Sequence, residues 1–454
     1  MSNTDMMDMT HGPLLGNILR FSLPLMASNI LQLLFNAADT VVVGRFAGYT
    51  SLAAMSSSMP VITLVTNLLI GLAIGVNVTI ARYIGIGNHD KDISRTLHTS
   101  VVVALVAGVI MGAVGILASD WLLAIIAVPD DVFDLAKTYM CIYFIGTPFS
   151  MLYNYCAAAL RAMGDTKRPM IFLVISGIVN VFLNLFMVIV LGMAVGGVAI
   201  ATVLSQLLSA ILVVRHMSKI SGPLHFSWKK ICFDKRAFKD IMYIGLPSGL
   251  QSCMFSISNI AIQSAINSYG SIAIAAIGAA SSIEGFIVMA MNAFQQASQT
   301  FISQNKGAGK YDRIGKVLRI CLLCTFTVGF CMGLVISIFG EQFIGIYNSD
   351  PEVIAMGATR LRRVASVYFL FGLEDALVGA IRGYGVPILP VVINLLGTCV
   401  FRVIWVALLD TPTVAIEMVY LSYPISWILT LIALIIVWKV LRHRERKTLA
   451  AAQT

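Results

Sequence analysis

Long apolar runs separated by short polar or charged patches repeat along this chain from end to end. A helix needs about 20 apolar residues to cross a hydrocarbon layer of roughly 30 Å, and run after run here meets that length. The first is Leu19 to Gly44, with Pro24 near its start and Asp39 deep in its second half. A second, containing Pro60, reaches Ala81, and a third covers Thr99 to Ser119. A loop with Asp130, Asp131 and Asp134 precedes a fourth, about Thr138 to Leu160. The uncharged stretch from Pro169 to Val214 is too long for one helix and divides at the GMAVGG turn, 192–197.

Arg215 to Lys239 is hydrophilic and basic and reads as a linker. Beyond it the pattern resumes with Ile241 to Ile266 and Ile272 to Ser303, split by NSYG at 267–270. A ninth run ends at Gly340, and an acidic loop with Glu341, Asp350 and Glu352 leads to a tenth ending near Ile381. Val386 to Leu408 and Met418 to Trp438 complete the set. The expected fold is an all-α polytopic membrane protein of twelve transmembrane helices. The expected division is an amino-terminal lobe (1–218), a linker (219–238), a carboxy-terminal lobe (239–442) and a basic tail (443–454).

Composition narrows the class. The chain has 454 residues, 58% apolar and only 12% charged, whereas soluble domains carry roughly 25% charged residues. The alternating pattern of a membrane β-barrel is missing. The net charge of +9 would suit nucleic acid if it were clustered, but the basic residues fall in alternate loops. Arg45, Lys137, Arg360, Arg362 and Arg363 count with one set of loops, Arg402 lies inside a run, and the rest gather on the side of the termini; Arg360 to Arg363 weaken the bias locally and either start the tenth helix or mark an error in its boundary. That bias places both termini in the cytoplasm and argues against a polynucleotide partner. The cysteines are scattered, and Cys321 and Cys324 form a C-x-x-C within an apolar run, where packing is the better reading. The start, MSNTDMMDMTHGP, has Asp5 and Asp8 but no basic region before an apolar one, so no signal peptide is expected.

Polar residues inside the runs carry the candidate chemistry. Asn29, Gln32, Asn36 and Asp39 are three, four and three residues apart and share one helical face. Charges at bilayer depth cost ~2.5–3.5 kcal/mol on insertion scales and face a cavity or a bundle interior. This stripe reads as the wall of an internal pathway, with Asp39 holding a proton or a cation. A carboxyl that only orders its helix is the alternative. Asn180 and Asn184, one turn apart, suit either an ion site or polar contacts between helices. Thr202 can equally bond its own backbone. Glu284 suits a cavity wall or a structural hydrogen bond. Glu374 and Asp375 are adjacent and so cannot share a face, and an ion pair with Arg402 or Arg382 is expected for one of them. Arg161 and Arg382 stand at helix ends, where capping and snorkelling explain them. Arg402 is the one clear intramembrane cation.

The two halves repeat at a shift of about 222 residues. Leu23-Pro24 recurs as Leu246-Pro247 and Asn36 as Asn259. Gly85-x-Gly87 recurs as Gly307-x-Gly309, and ALRAMGDTKRP, ending at 169, recurs as AIRGYGVPILP, ending at 390. Six helices per unit make the repeats parallel, in two pseudo-symmetric six-helix bundles with the substrate path expected between them. Asp39 aligns near Ile262, so the acid belongs to the first half only.

These landmarks resemble the multidrug and toxic compound extrusion (MATE) family over roughly Leu14 to Arg442. The specific matches are P-x(14)-D-x(4)-G at Pro24, Asp39 and Gly44, LRAMGDT at 160–166, Gln304-Asn305 ahead of Gly307-Ala308, and IRGYG at 381–385. The resemblance implies cation-coupled efflux with Asp39 as a main ion site, and partners at Asn180, Asn184 and Thr202. Many relatives carry an acid where this chain has Asn184, which leaves Asp39 the only carboxyl expected at that site in the lobe. Asn36 and Tyr139 complete the expected cation-coupling set, with Na+ at Asp39 or a proton as the coupling ion. Glu284 matches a carboxyl position of some relatives. An acid found in some branches ten residues before the arginine is here Gly372, so Glu374 and Asp375 do not inherit its role directly.

The expected cargo cavity comprises Gln32, Asn259, Gln263, Glu284, Glu374 and Asp375. The expected protein is a secondary antiporter of the plasma or inner membrane, monomeric, in contact with lipid. It would export small organic, mostly cationic or amphipathic compounds for Na+ or H+, without a cofactor. A flippase for lipid-linked saccharide or peptidoglycan precursors is the alternative and would call for a strongly cationic cavity. An enzyme would need His, Cys or paired acids clustered in the bilayer, and all six histidines are expected in loops or tails. A passive channel would need no two-state repeat.

Overall fold

In a computed structural model the chain is helical throughout the described residues, 7–126, 128–409 and 414–451, with no strand among them. The beginning of the amino terminus with Asp5, the loop at 410–413 and the end of the basic tail lie outside them. The helices are α1 (Leu14–Ala47), α2 (Tyr49–Ile86), α3 (Asp90–Leu117), a short α4 (Ser119–Ile125), α5 (Asp130–Ile145), α6 (Thr147–Ala162), α7 (Lys167–Val190) and α8 (Ala194–Met217). After the linker come α9 (Lys235–Asn267), α10 (Ser271–Gly307), α11 (Tyr311–Ile338), a short α12 (Gly340–Tyr347), α13 (Pro351–Val367), α14 (Phe369–Gly383), α15 (Ile388–Leu408) and α16 (Ile416–Ala451).

Nine of these are long and apolar enough to cross a membrane, and α13 with α14, bent by 43°, makes a tenth span. Two more complete the twelve: the α5–α6 pair and α9, whose first turns carry Lys235, Arg236, Lys239 and Asp240.

The fourth expected run is two helices, not one. Asp130 and Asp131 are the first turn of α5 rather than a loop, and Gly146 with Pro148 ends α5 and starts α6. The acidic loop before the tenth run likewise holds α12, and Asp350 caps α13 by accepting a hydrogen bond from the Glu352 amide at 2.8 Å. The break at Gly146 recurs at Tyr368, and α4 recurs as α12, so the repeat extends to the interruptions.

The chain forms two compact units. One comprises 7–11, 23–252 and 307–309, the other 12–22, 253–306 and 310–451. In the first, α2 and the start of α9 pack backbone against backbone through two G-x-x-x-G stretches, 71–75 and 245–249. A Cβ on Gly71 would stand 2.2 Å from the Gly249 Cα. Such approaches are how helices gain van der Waals contact where lipid supplies no hydrophobic drive. The linker is pinned to α3 in the same unit: Phe226 stacks on His98 at 5.4 Å, and the Ser227 amide donates to His98 Nε2 at 3.2 Å. His98, expected in a loop, is therefore buried in α3, and His216 lies in α8. The second unit packs α13, α14 and α16 around buried Trp427, Tyr420 and Val364. All eight cysteines are free thiols, Cys321 and Cys324 included.

Candidate functional site

In the first unit α1 lies beside α7 because α7 offers a notch. A Cβ on Gly177 would stand 2.0 Å from Cε2 of Phe35, so only glycine admits that ring. With Phe35 seated there, Asp39 arrives one turn further along α1 and Asn184 two turns further along α7. Both helices then widen into π turns, at Val43–Ala47 and Phe186–Val190, and these touch each other. Single π turns of this kind collect at functional sites.

Asn184 Nδ2 donates to Asp39 Oδ1 at 2.5 Å and also lies 3.3 Å from Asn180 Oδ1. Asn184 is fully buried, and its Oδ1 has no hydrogen-bond partner. Asp39 is half-buried, and the groups that act on it are Asn184 and the phenols of Tyr139 and Tyr143. Among the described residues no Lys, Arg or His forms an ion pair with it. Among the described residues the groups that hold the Asp39 carboxyl are therefore neutral.

The other expected members of this set divide. Tyr139 is buried beside Asp39. Thr202 donates to its own helix, at Val198 O (2.9 Å), leaving its oxygen lone pairs as the only further ligand it can offer. Asn36 and Gln32 are exposed on α1, and the Asn36 carbonyl accepts from Thr40. Asp39 is the member of the α1 stripe that meets α7.

In the second unit the expected acids meet arginines. Glu284 on α10 is buried and receives a two-pronged interaction from Arg360 on α13, Nε to Oε1 at 3.1 Å and Nη2 to Oε2 at 2.9 Å. Glu374 is buried on α14 near Arg402 and Thr398, while Asp375 on another face is near Arg382 and Asn292. Arg402 donates from Nε to Ser426 Oγ at 2.9 Å and lies over the Tyr423 ring at 4.4 Å; its Nη2 has no hydrogen-bond partner. Asn259 and Gln263 are exposed on α9, with Gln263 bonded to Asn267 at 3.0 Å.

One expectation needs correction. Arg402 is not the one buried cation of the expected spans, because Arg360 in α13 is buried as well. Of the two readings of Arg360 to Arg363, the structure shows the helical one, with Arg360 inside α13. The face formed by Val353, Gly357, Arg360 and Val364 is the buried face of α13, while Arg362 and Arg363 point outward. That spacing was the available signal. The Gly177 notch gave none, since a glycine in an apolar run does not announce its neighbour.

Comparison with known proteins agrees with this architecture. The MatE family model matches residues 24–186 and 247–408, two stretches that each begin at one of the repeated prolines. A probable multidrug resistance protein, YpnP of Bacillus subtilis, is 28% identical over 88% of this chain and 89% of its own. The FAD transporter of Shewanella oneidensis is 24% identical over 83% of this chain and 84% of its own. Among solved structures, an outward-facing multidrug resistance MATE transporter superposes with a TM-score of 0.89 at 22% identity, covering 99% of this chain and 100% of that one. A Pyrococcus furiosus transporter of the MOP superfamily, described as having a binding pocket of reverse polarity, superposes with a TM-score of 0.87 at 21% identity over the whole of both chains.

Proposed function

Because this chain belongs to the MatE family, whose members are membrane transporters and not enzymes, we propose that it is an antiporter. It exports small organic, mostly cationic or amphipathic compounds in exchange for Na+ or H+. The observation that carries the reading is Asp39, an acid withdrawn into the first unit with an amide donor and two phenols around it and, among the described residues, no basic partner. Such a carboxyl keeps its charge only at a cost unless a cation or a proton joins it. Occupation and release of that site then supply the differential binding that shifts a two-state transporter. Relatives named multidrug resistance proteins support the cargo class.

Asn184, Asn180 and Thr202 supply neutral oxygens and an amide for the ion, with Tyr139 closing one side. The Asn184 Oδ1 that lacks a partner is the first of these. For a neutral amphipathic cargo exchanged against one cation, a membrane potential of 100 mV supplies ~2.3 kcal/mol, enough for a cargo gradient of roughly 50-fold, whereas a monovalent cation exchanged one for one draws on the ion's concentration gradient alone. In this reading both termini are cytoplasmic, in keeping with the loops that carry most of the Lys and Arg. The protein works as a monomer in the plasma or inner membrane.

A second reading has an anionic cargo, including the lipid-linked pyrophosphates of a flippase. It is favoured by buried Arg402, whose Nη2 lacks a partner, and by the relative named for FAD. The test is flux in proteoliposomes with Na+ and pH gradients imposed separately. An organic cation driven by one of these gradients, with the effect gone in Asp39→Asn, supports the first reading. Gradient-independent movement of the cation, or an Asp39→Asn variant that transports normally, refutes it.

A further inference from the structure

Below Asp39 the first unit carries a second polar stripe. Tyr139 and Tyr143 on α5 and Thr147, Ser150 and Asn154 on α6 are spaced four, four, three and four residues apart, so they share one face straight through the break at Gly146. The two tyrosine rings are 6.3 Å apart, and both phenols sense the Asp39 charge. The Tyr143 hydroxyl lies within hydrogen-bonding reach of Thr66 on α2 and Gln206 on α8. Gln206 keeps a buried Oε1 with no partner, directed at the break, where it would stand 2.5 Å from a Cβ on Gly146. Below Tyr143 a small cleft opens that is lined by Thr66, Tyr143, Thr147, Ser150 and Asn154 together with the apolar side chains of Leu69, Ile70 and Met151. Asn154 Nδ2 donates to the Ser150 carbonyl at 2.8 Å, which leaves its Oδ1 for the cleft.

Five polar side chains in register on one transmembrane segment are costly unless they meet hydrogen-bond partners, water or an ion. Tyr143 finds partners in Thr66 and Gln206 on the facing helices, while Thr147, Ser150 and Asn154 line the cleft beyond it. We propose that this stripe is the passage by which the coupling ion travels between Asp39 and the Arg161 end of the unit, with Tyr143 as its narrowest point. The inference rests on the antiport reading and adds the route to it. Neutral hydroxyl and amide oxygens suit transit: they replace part of a cation's hydration shell without trapping it as a second carboxylate would.

The test compares Thr66→Val, Thr66→Ser and Tyr143→Phe in full-length protein reconstituted in vesicles. The readout is the Na+ or H+ concentration that gives half-maximal exchange, alongside equilibrium binding of the fluorescent cargo. Loss of a hydroxyl at Thr66 or Tyr143 should raise the half-maximal ion concentration about tenfold. Cargo affinity and melting temperature should stay at the wild-type level. Thr66→Ser, which keeps the hydroxyl, should behave as wild type. An unchanged ion dependence in both Thr66→Val and Tyr143→Phe overturns the passage, and so does a Thr66→Ser variant as impaired as Thr66→Val. If those results came with Asp39→Asn still abolishing ion dependence, the route alone would fail. An Asp39→Asn variant with normal ion dependence would remove the antiport reading itself.

Discussion

Breaking the Glu284–Arg360 pair should unfold the second unit well before it alters chemistry. The two side chains are each only 3% exposed and joined by two hydrogen bonds. Removing one partner leaves the other as an uncompensated buried charge, a loss of about 3–5 kcal/mol. At ~2–4 °C per kcal/mol for a unit of this size, Glu284→Gln or Arg360→Gln should lower the melting temperature by roughly 6–20 °C. Replacing both at once by apolar residues, Glu284→Leu with Arg360→Met, removes the attraction and both desolvation costs, and should recover most of the loss.

The Arg362–Glu341 pair is an internal control. Its side chains are 53% and 57% exposed, so Glu341→Gln should cost at most about 1 kcal/mol. The assay is a double-variant cycle read by thermal unfolding in detergent, with export measured on every variant that folds. A Glu284→Gln protein melting within 2 °C of wild type would refute the argument. A double variant that folds but no longer exports would show instead that Glu284 also serves cargo.

Three further outcomes follow from the same geometry. Gly177→Val should displace Phe35 at an overpacking cost of ~1–3 kcal/mol and uncouple transport. Adding Phe35→Ala should restore the melting temperature, and a fully active Gly177→Val variant would contradict the notch. Asn184→Leu removes the Oδ1 that lacks a partner and is placed to ligate the ion, so Na+ affinity measured by flux should fall about tenfold, whereas Asn184→Asp should strengthen Na+ dependence. Phe226→Ala should release the linker from His98, so that trypsin cuts at Lys229 and Lys230 faster than in wild type; equal cleavage would show that the ring does not hold the loop.

The spans were legible because lipid imposes one simple requirement, and the repeat was legible because its prolines and glycines recur in order. The breaks were harder to see. Gly146 and Pro148 sit inside an uncharged run, so α5 and α6 read as one helix. Asp39 stood out as a lone acid, and its partner Asn184 was reached through the family resemblance. Arg360 was left between loop and helix because three arginines close together blur the boundary, although the spacing of Val353, Gly357 and Val364 marks only one of them as inward-facing. Contacts that depend on a missing side chain, as at Gly177, leave no periodic trace.

The exchange of cargo against an ion at Asp39 can be read directly. Purified wild-type protein in weakly buffered detergent solution is titrated with a fluorescent organic cation while pH and free Na+ are followed together. Release of H+ or Na+ in step with cargo binding is expected from wild type, and none from Asp39→Asn. Saturable cargo binding by the wild type with no release of either ion would contradict the account.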